Sequence, residues 1–170
     1  MVLLVYFLIL GVNAIVLGVV SPLGWPPVMI GLFGCAFLLL AFSMVSCSDP
    51  GIIYKNDYDI PDVEDTHDQG KDDEVIVSTT KRASTIECGQ CELRRPFSGH
   101  HCHYCKVCVN ELDHHCPWCG KCIGKENIKY FWLFVYSLNV QFYYLIGVFI
   151  YYMLAFPGNQ NYLPKGPGFS

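Results

Sequence analysis

Three long stretches without a charged residue constrain the fold of this 170-residue chain more than any other feature. They cover residues 1–20, 26–47 and 130–156, and each is long enough to cross a bilayer core of roughly 30 Å as a helix. A secretory signal peptide is the alternative for the first stretch, but that stretch lacks a basic start and a following small-residue cleavage site. A buried soluble helix is the alternative for the third, but the polar remainder of the chain offers too little apolar surface to cover it. The pattern predicts an α-helical integral membrane protein with three transmembrane helices, the first two forming a hairpin.

The charges beside these helices predict how the protein lies in the lipid bilayer. Residues 48–129 form the one large extramembrane stretch and hold ten of the eleven Lys and Arg residues. Because long loops obey the positive-inside rule poorly, the charges nearest the helices matter most. These are Lys55 on one side and Lys121, Lys125 and Lys129 on the other, and they place the loop in the cytosol.

Acidic residues are concentrated in one part of this loop. Nine of the fifteen Asp and Glu residues fall between positions 57 and 74, where aromatic residues are almost absent. Such a composition is typical of a disordered, solvated spacer. We therefore expect a cytosolic linker over residues 48–87, a compact domain over residues 88–129, and a Gly- and Pro-rich lumenal tail over residues 157–170.

Eight of the ten cysteines lie between Cys88 and Cys122, which points to metal binding in a reducing compartment. Pairs separated by two residues let both sulfurs reach one tetrahedral Zn²⁺. A module this short cannot bury enough apolar surface to fold alone, so the metal would supply the folding free energy. Two closed sites need eight ligands, whereas the region offers eight cysteines and five histidines. Spacing alone does not say which of them are left over.

Motifs in this region resemble those of the DHHC family of protein S-acyltransferases, the palmitoyltransferases. The similarity runs from Cys88 to Phe131, and a DPG motif follows the second apolar stretch. The matching residues are the cysteine ladder, Arg95-Pro96, His101-Cys102, Asp113-His114-His115-Cys116, Trp118, Cys122-Ile123-Gly124, Asn127, Phe131 and Asp49-Pro50-Gly51.

The resemblance implies two interleaved structural Zn²⁺ sites in a small cysteine-rich cytosolic domain of short β-hairpins and loops. Each site would have three cysteines and one histidine as ligands. The first would contain Cys88, Cys91, His101 and Cys108, and the second Cys102, Cys105, His115 and Cys122.

The same resemblance leaves Asp113, His114 and Cys116 as the catalytic group. A free thiol is mostly protonated at neutral pH, so a reactive cysteine needs a neighbouring base, and an acid can orient that base. The implied reaction has two steps, in a ping-pong order. Cys116 takes a long-chain acyl group from acyl-CoA, for example palmitoyl-CoA, and a cysteine of a membrane-associated protein substrate then takes it from Cys116. The protein cysteines would be cytosolic, and no nucleic-acid partner is expected.

Aromatic and basic residues near this group are candidates for binding the acyl-CoA. Trp118, Phe131 and Phe134 would line an acyl cavity, and the alternative is ordinary interfacial packing. Four cations could meet CoA phosphates or, equally, anionic lipid headgroups: Arg94, Arg95, Lys121 and Lys125.

The third helix is unusually polar for a membrane span. It contains Ser137, Asn139 and Gln141. These side chains predict either interhelical hydrogen bonds or a cavity face toward the bundle.

Two features depart from the family pattern. Cys119 stands where the family commonly has an aliphatic residue, and it could be a second acyl acceptor, a disulfide partner or a small apolar side chain, the last being the preferred interpretation. The chain also ends after three apolar stretches where the family has four or more, so a member lacking the last helix and C-terminal tail is expected. The rival function is accordingly an impaired, membrane-tethered zinc-binding adaptor. The host membrane could be the Golgi, the ER, another endomembrane or the plasma membrane.

Overall fold

The computed structural model describes residues 1–55, 57 and 85–156, and three long helices lie within them. Helix α1 spans Val2–Val20, α2 spans Trp25–Cys47 and α3 spans Ile128–Ala155, with a 3-10 turn at Ser21–Leu23. All three helices are long and apolar enough to cross a membrane. Six short strands make up the rest: β1 (Thr85–Cys88), β2 (Leu93–Pro96), β3 (His100–Cys102), β4 (Val107–Val109), β5 (His114–Cys116) and β6 (Lys121–Ile123). The predicted fold class is confirmed, while most of the predicted acidic spacer and the predicted lumenal tail lie outside the described residues.

The described chain divides into two units. The hairpin unit contains residues 1–2 and 42–132, and the helical unit contains residues 3–41 and the chain from residue 133 onward. Helices α2 and α3 each contribute to both units.

Three antiparallel hairpins, β1-β2, β3-β4 and β5-β6, form the body of the hairpin unit. Its buried clusters consist largely of cysteines: Cys88 and Cys108 pack with Ile53 and Leu93 in one of them. Because so few aliphatic side chains are buried, the apolar contribution to folding is small. Metal binding by the cysteines would therefore supply much of the stability.

The segment after α2 attaches that helix to the hairpins. Asp49 Oδ1 accepts hydrogen bonds from the backbone N–H groups of Gly51 and Ile52, at 2.6 and 3.0 Å, and Gly51 has a left-handed φ of 93°. Only glycine adopts that conformation without strain. The turn directs Ile53 N–H to the carbonyl of Cys108, at 2.9 Å, so the DPG motif runs beside β4.

In the helical unit, α1 and α3 pack through Leu17, Val20 and Leu145. The link between α1 and α2 is short because Pro22 starts the 3-10 turn and Gly24 reverses the chain with a φ of 102°. This turn confirms the predicted hairpin between the first two helices.

A buried polar cluster joins all three helices of this unit. Gln141 Nε2 of α3 donates to Asn13 Oδ1 of α1, at 2.5 Å, and to the Gly31 carbonyl of α2, at 3.1 Å. Asn13 Nδ2 donates to the Ile9 carbonyl of its own helix, at 2.8 Å. A Cβ at Gly34 would overlap Gln141 Oε1, so the small residue lets the amide approach α2. Buried amides in a membrane are stable only when paired in this way.

Three polar residues of α3 were candidates for interhelical hydrogen bonds, and one of them makes such bonds. Gln141 does so, whereas the Ser137 hydroxyl donates to the Phe134 carbonyl and Asn139 Nδ2 donates to the Val135 carbonyl of the same helix. Asn13 was not singled out from the sequence, although it is the only amide side chain in residues 1–20.

We predict that Gln141→Leu destabilises the helical unit by about 1–2 kcal/mol, because Asn13 Oδ1 and the Gly31 carbonyl lose their shared donor in an apolar setting. Thermal unfolding in detergent micelles measures this change. Asn139→Leu is the matched control, since Asn139 is exposed and bonds only within its own helix. Equal melting temperatures for Gln141→Leu and wild type would contradict the structural role of the cluster.

Candidate functional site

The three hairpins have the same turn. In each, two cysteines separated by two residues open the turn, and the next residue has a left-handed φ: Glu92 (51°), Lys106 (59°) and Gly120 (70°). The backbone N–H of that residue donates to the carbonyl of the first cysteine at 2.8 to 2.9 Å in every case. The chain thus builds one cysteine turn, which we call a knuckle, three times.

The first metal set combines the knuckle of one hairpin with a cross-strand pair of the next. His101 on β3 lies directly opposite Cys108 on β4. His101 Nδ1 is 3.7 Å from Cys88 Sγ, 3.2 Å from Cys91 Sγ and 4.0 Å from Cys108 Sγ. The four ligand atoms of this set all lie within 4.8 Å of one another.

The second set repeats this arrangement one hairpin further along. His115 on β5 lies opposite Cys122 on β6, and its Nδ1 is 3.7, 3.3 and 3.9 Å from the sulfurs of Cys102, Cys105 and Cys122. The ring of Tyr104 stacks on His115 with centroids 4.9 Å apart. The eight residues gathered in the two sets are those that the family resemblance implied.

Both sets fit zinc by their own geometry. With Zn–S bonds near 2.3 Å and Zn–N bonds near 2.0 Å, a tetrahedron has edges of about 3.5 to 3.8 Å. The sulfur-to-nitrogen distances of 3.2 to 4.0 Å bracket that range. Three soft thiolates and one imidazole are also the donor set that zinc prefers. The two sites could therefore hold zinc ions.

Thiol acidity differs within each set in a regular way. Burial raises the pKa of Cys88, but backbone N–H groups from Cys91 and Gln90 outweigh burial and lower it to about 7. The pKa of Cys102 is lowered for the same reason, by the backbone of Cys105. The cysteines that open the first and second knuckles therefore shift in the same direction, and the pKa of each is lowered.

The cross-strand cysteines behave in the opposite sense. Burial raises the pKa of Cys108 to about 12, helped by the neighbouring sulfurs, and burial also raises the pKa of Cys122. A metal would be met first by the more acidic thiols that open the knuckles, Cys88 and Cys102, and its binding would release the proton of the cross-strand thiol.

The proposed catalytic residues occupy the opposite face of β5 from the second metal set. Side chains alternate along a strand, so His115 faces the metal ligands while His114 and Cys116 share the other face. Cys116 is only 5% exposed. His114 Nδ1 lies 2.7 Å from Asp113 Oδ2, and both side chains are partly exposed. The geometry thus keeps Cys116 outside both ligand sets and beside an oriented histidine.

The predicted acyl-binding aromatics have different surroundings. The ring of Phe131 meets the ring of His114 edge-on, with centroids 5.1 Å apart. Trp118, in the turn after Cys116, is 55% exposed. Phe134 is buried in the helical unit. Phe131 therefore contacts a member of the predicted catalytic group, and lining of a cavity by all three stays a prediction.

Two of the predicted cationic residues make contacts within the hairpin unit. The Arg95 guanidinium donates to the Gly99 carbonyl, and Arg94 Nη1 donates to Thr85 Oγ1 at 3.5 Å. Arg95 thereby supports the turn between β2 and β3. Phosphate binding by either residue stays a prediction.

Lys121 connects the β5-β6 hairpin to the end of α2. It is the cross-strand partner of Cys116, and its ammonium donates to the carbonyl of Ser48 at 2.7 Å, just beyond the helix end. A cation is favourable there because backbone carbonyls at a helix C-terminus carry partial negative charge. The sequence predicts a role for Lys121 at phosphates or headgroups, whereas in the structure its ammonium bonds the backbone of Ser48.

Asn127, one of the motif residues, fixes the other end of the same hairpin. It is fully buried, accepts a hydrogen bond from Gly124 N–H at 2.8 Å and donates to the Cys122 carbonyl at 3.0 Å. The backbone of Phe131 donates to its carbonyl as α3 begins. Asn127 therefore connects a metal-set cysteine to the start of α3.

We predict that Cys91→Ser and Cys105→Ser each lower the bound zinc from two ions per chain to about one, because each removes a ligand from a different set. Elemental analysis of the purified protein in detergent measures the ratio. The exposed Cys47, which belongs to neither set, provides the control Cys47→Ser, expected to keep both ions. Full zinc content in both ligand variants would contradict the assignment of these residues.

Comparison with known proteins agrees with this geometry. The DHHC palmitoyltransferase family model matches residues 82–165. The chain is 37% identical over 128 residues to palmitoyltransferase erf2 of Schizosaccharomyces pombe, covering 70% of this chain and 36% of that protein. It is 37% identical over 125 residues to palmitoyltransferase ZDHHC8B of Danio rerio, and 36% identical over 118 residues to palmitoyltransferase ZDHHC5 of Homo sapiens. These matches cover 69% and 66% of the chain, which spans 15% of the length of either vertebrate protein. Through the domain at residues 82–165, the chain belongs to the DHHC palmitoyltransferase family.

Proposed function

We propose that this protein is a protein S-acyltransferase that moves a long-chain acyl group from acyl-CoA to cysteines of membrane-associated proteins. The observation that carries the proposal is the placement of Cys116. It is a buried cysteine outside both metal sets, on the same strand face as a histidine that an aspartate orients. A domain built only to hold zinc has no use for that arrangement.

Asp113 determines which nitrogen of His114 can act as the base. With Nδ1–H donated to the Asp113 carboxylate, Nε2 is left as the proton acceptor. The carboxylate also stabilises the imidazolium that forms when His114 takes the proton of the Cys116 thiol. The edge of Phe131 limits rotation of the ring. Together these contacts supply a thiolate in a fixed orientation.

The first half of the reaction acylates the protein. The Cys116 thiolate attacks the thioester carbonyl of acyl-CoA, the bond from that carbonyl to the CoA sulfur breaks, and the CoA thiolate takes the proton from His114. In the second half, His114 accepts the proton of the substrate cysteine, whose sulfur attacks the acyl-Cys116 thioester. Cys116 then leaves as a thiolate and is reprotonated by His114. One thioester replaces another, so positioning contributes more than bond energy.

A membrane location suits the donor. A fatty chain gains about 0.8 kcal/mol for each CH₂ group that it buries, which favours a nucleophile close to the lipid phase. Cys116 lies on a hairpin that Lys121 ties to the end of the apolar helix α2. Trp118 lies two residues after Cys116 and Phe131 contacts His114, and we propose that both contact the acyl chain. Arg94 and Arg95 are proposed to meet the CoA phosphates.

Two structural zinc ions are part of the proposal, held by the two Cys₃His sets. With four protein ligands each, they would hold the strands in place and leave no open position for substrate. We further propose that the hairpin unit faces the cytosol, where the acyl-CoA donor and reduced substrate cysteines are found.

We predict that purified protein incubated with labelled palmitoyl-CoA acquires a hydroxylamine-sensitive label, and that Cys116→Ser abolishes it because the serine hydroxyl is a far weaker nucleophile. Gel fluorography and peptide mass spectrometry measure the label and its position. Cys47→Ser is the control that keeps it. The decisive negative result is a full-length form of the protein that is folded and zinc-loaded but takes no label. The transferase proposal would then fail, and the adaptor function would be left.

Asp113→Asn is expected to slow formation of acyl-Cys116 by about 10- to 100-fold, because the amide no longer stabilises the imidazolium and favours the wrong tautomer of His114. A single-turnover rate measurement at saturating palmitoyl-CoA tests this. Glu87→Gln removes a comparable exposed carboxylate on β1 and should leave the rate unchanged. An undiminished rate in Asp113→Asn would show that the aspartate does not orient the base.

A further inference from the structure

The cysteine knuckles repeat at a regular interval in the sequence, and the repeat includes a third knuckle that belongs to neither metal set. The first cysteine of each knuckle follows the previous one by 14 residues, at Cys88, Cys102 and Cys116, and the second cysteines Cys91, Cys105 and Cys119 keep the same interval. Histidine and cysteine of the cross-strand pairs, His101 with Cys108 and His115 with Cys122, also repeat at this interval.

The third knuckle has the same backbone as the two that belong to metal sets. Cys116 pairs with Lys121 across its hairpin as Cys88 pairs with Leu93 and Cys102 with Val107. Gly120 N–H donates to the Cys116 carbonyl at 2.9 Å, against 2.8 Å for the equivalent bonds of the other knuckles. The third knuckle thus has the backbone of a metal-binding knuckle.

Burial of the cysteine that opens the knuckle also matches. Cys116 is 5% exposed, against 6% and 4% for Cys88 and Cys102, whereas Cys119, at 2%, is more buried than its counterparts Cys91 and Cys105. Cys116 and Cys119 hold the same positions in this turn as the paired metal-set cysteines of the other two knuckles. Two thiols placed in this way are half of a tetrahedral thiolate site.

The missing half follows from the order of elements. Each complete set takes its knuckle from one hairpin and its cross-strand pair from the next. After β6 the described chain continues into α3 instead of a further hairpin. The third knuckle therefore lacks the partner pair that would close it.

We propose that Cys116 and Cys119 form a third, half-complete knuckle that binds a soft divalent cation such as Zn²⁺ through both sulfurs. Each metal–sulfur bond releases one thiol proton, and the remaining coordination positions stay open to water or a small external ligand. A site of this kind exchanges its metal, unlike the two closed sets. If the proposed function holds, the metal and the acyl group exclude each other on Cys116, so binding would be inhibitory.

Cobalt is the probe that separates this site from the two complete ones. Because Co²⁺ binds such ligands more weakly than Zn²⁺, it does not displace zinc from closed sets. The protein loaded with two zinc ions is titrated with Co²⁺ in detergent, and thiolate-to-cobalt charge-transfer absorption is recorded. We expect one equivalent of Co²⁺ to bind with such a band, and zinc content to stay at two ions per chain.

The variants decide where the cobalt binds. Cys119→Val and Cys116→Ser are each expected to lose the band while retaining both zinc ions, which also shows that they are folded. Cys35→Val removes an equally buried cysteine from α2 and should keep the band. A wild-type titration without charge transfer, or a band that persists in Cys119→Val, would overturn the proposal. No acyl donor is present, so the outcome is independent of whether the protein transfers acyl groups.

Discussion

Neighbouring residues of strand β3 point to opposite faces, and this alternation links the two metal sets. His101 completes the first set, and Cys102, the next residue, opens the second. Neither set can form unless β3 is extended and paired with β4, since His101 needs Cys108 opposite to it. Two metal sites that share a strand should therefore stabilise each other, because a metal bound at either one holds β3 in the conformation that the other needs.

The same alternation produces the proposed reactive site on β5. His115 is committed to the second set, so His114 and Cys116 must face the other way. The strand is held in register by Cys122, Asn127 and Lys121, which connect it to α3 and to the end of α2. In the motif Asp113-His114-His115-Cys116, His115 is a metal-set residue and the other three are the proposed catalytic residues. His115 holds the strand that carries them in place.

Much of this arrangement could be predicted from the sequence, for identifiable reasons. Uncharged stretches of membrane-spanning length revealed the helices, and cysteine spacing revealed metal knuckles, because both are local patterns. Spacing left the choice among eight cysteines and five histidines open, and the resemblance to a known family was needed to separate His101 and His115 from His114. Contacts between distant residues were out of reach: the Lys121 ammonium on the Ser48 carbonyl and the Gln141 amide between Asn13 and Gly31 depend on packing. The 14-residue repeat was present in the sequence, but its meaning depends on the three knuckles having one backbone conformation.

The separation of Cys116 from the metal ligands is the central claim, and X-ray absorption at the zinc edge tests it most directly. Protein prepared with two zinc ions per chain should show an average of three sulfur neighbours at about 2.3 Å and one nitrogen neighbour at about 2.0 Å. The Cys116→Ser variant should give the same first coordination shell. A wild-type average above three sulfurs that falls in Cys116→Ser would mean that Cys116 is a ligand of one of the two structural zinc ions, and the account of the proposed catalytic face of β5 would be wrong.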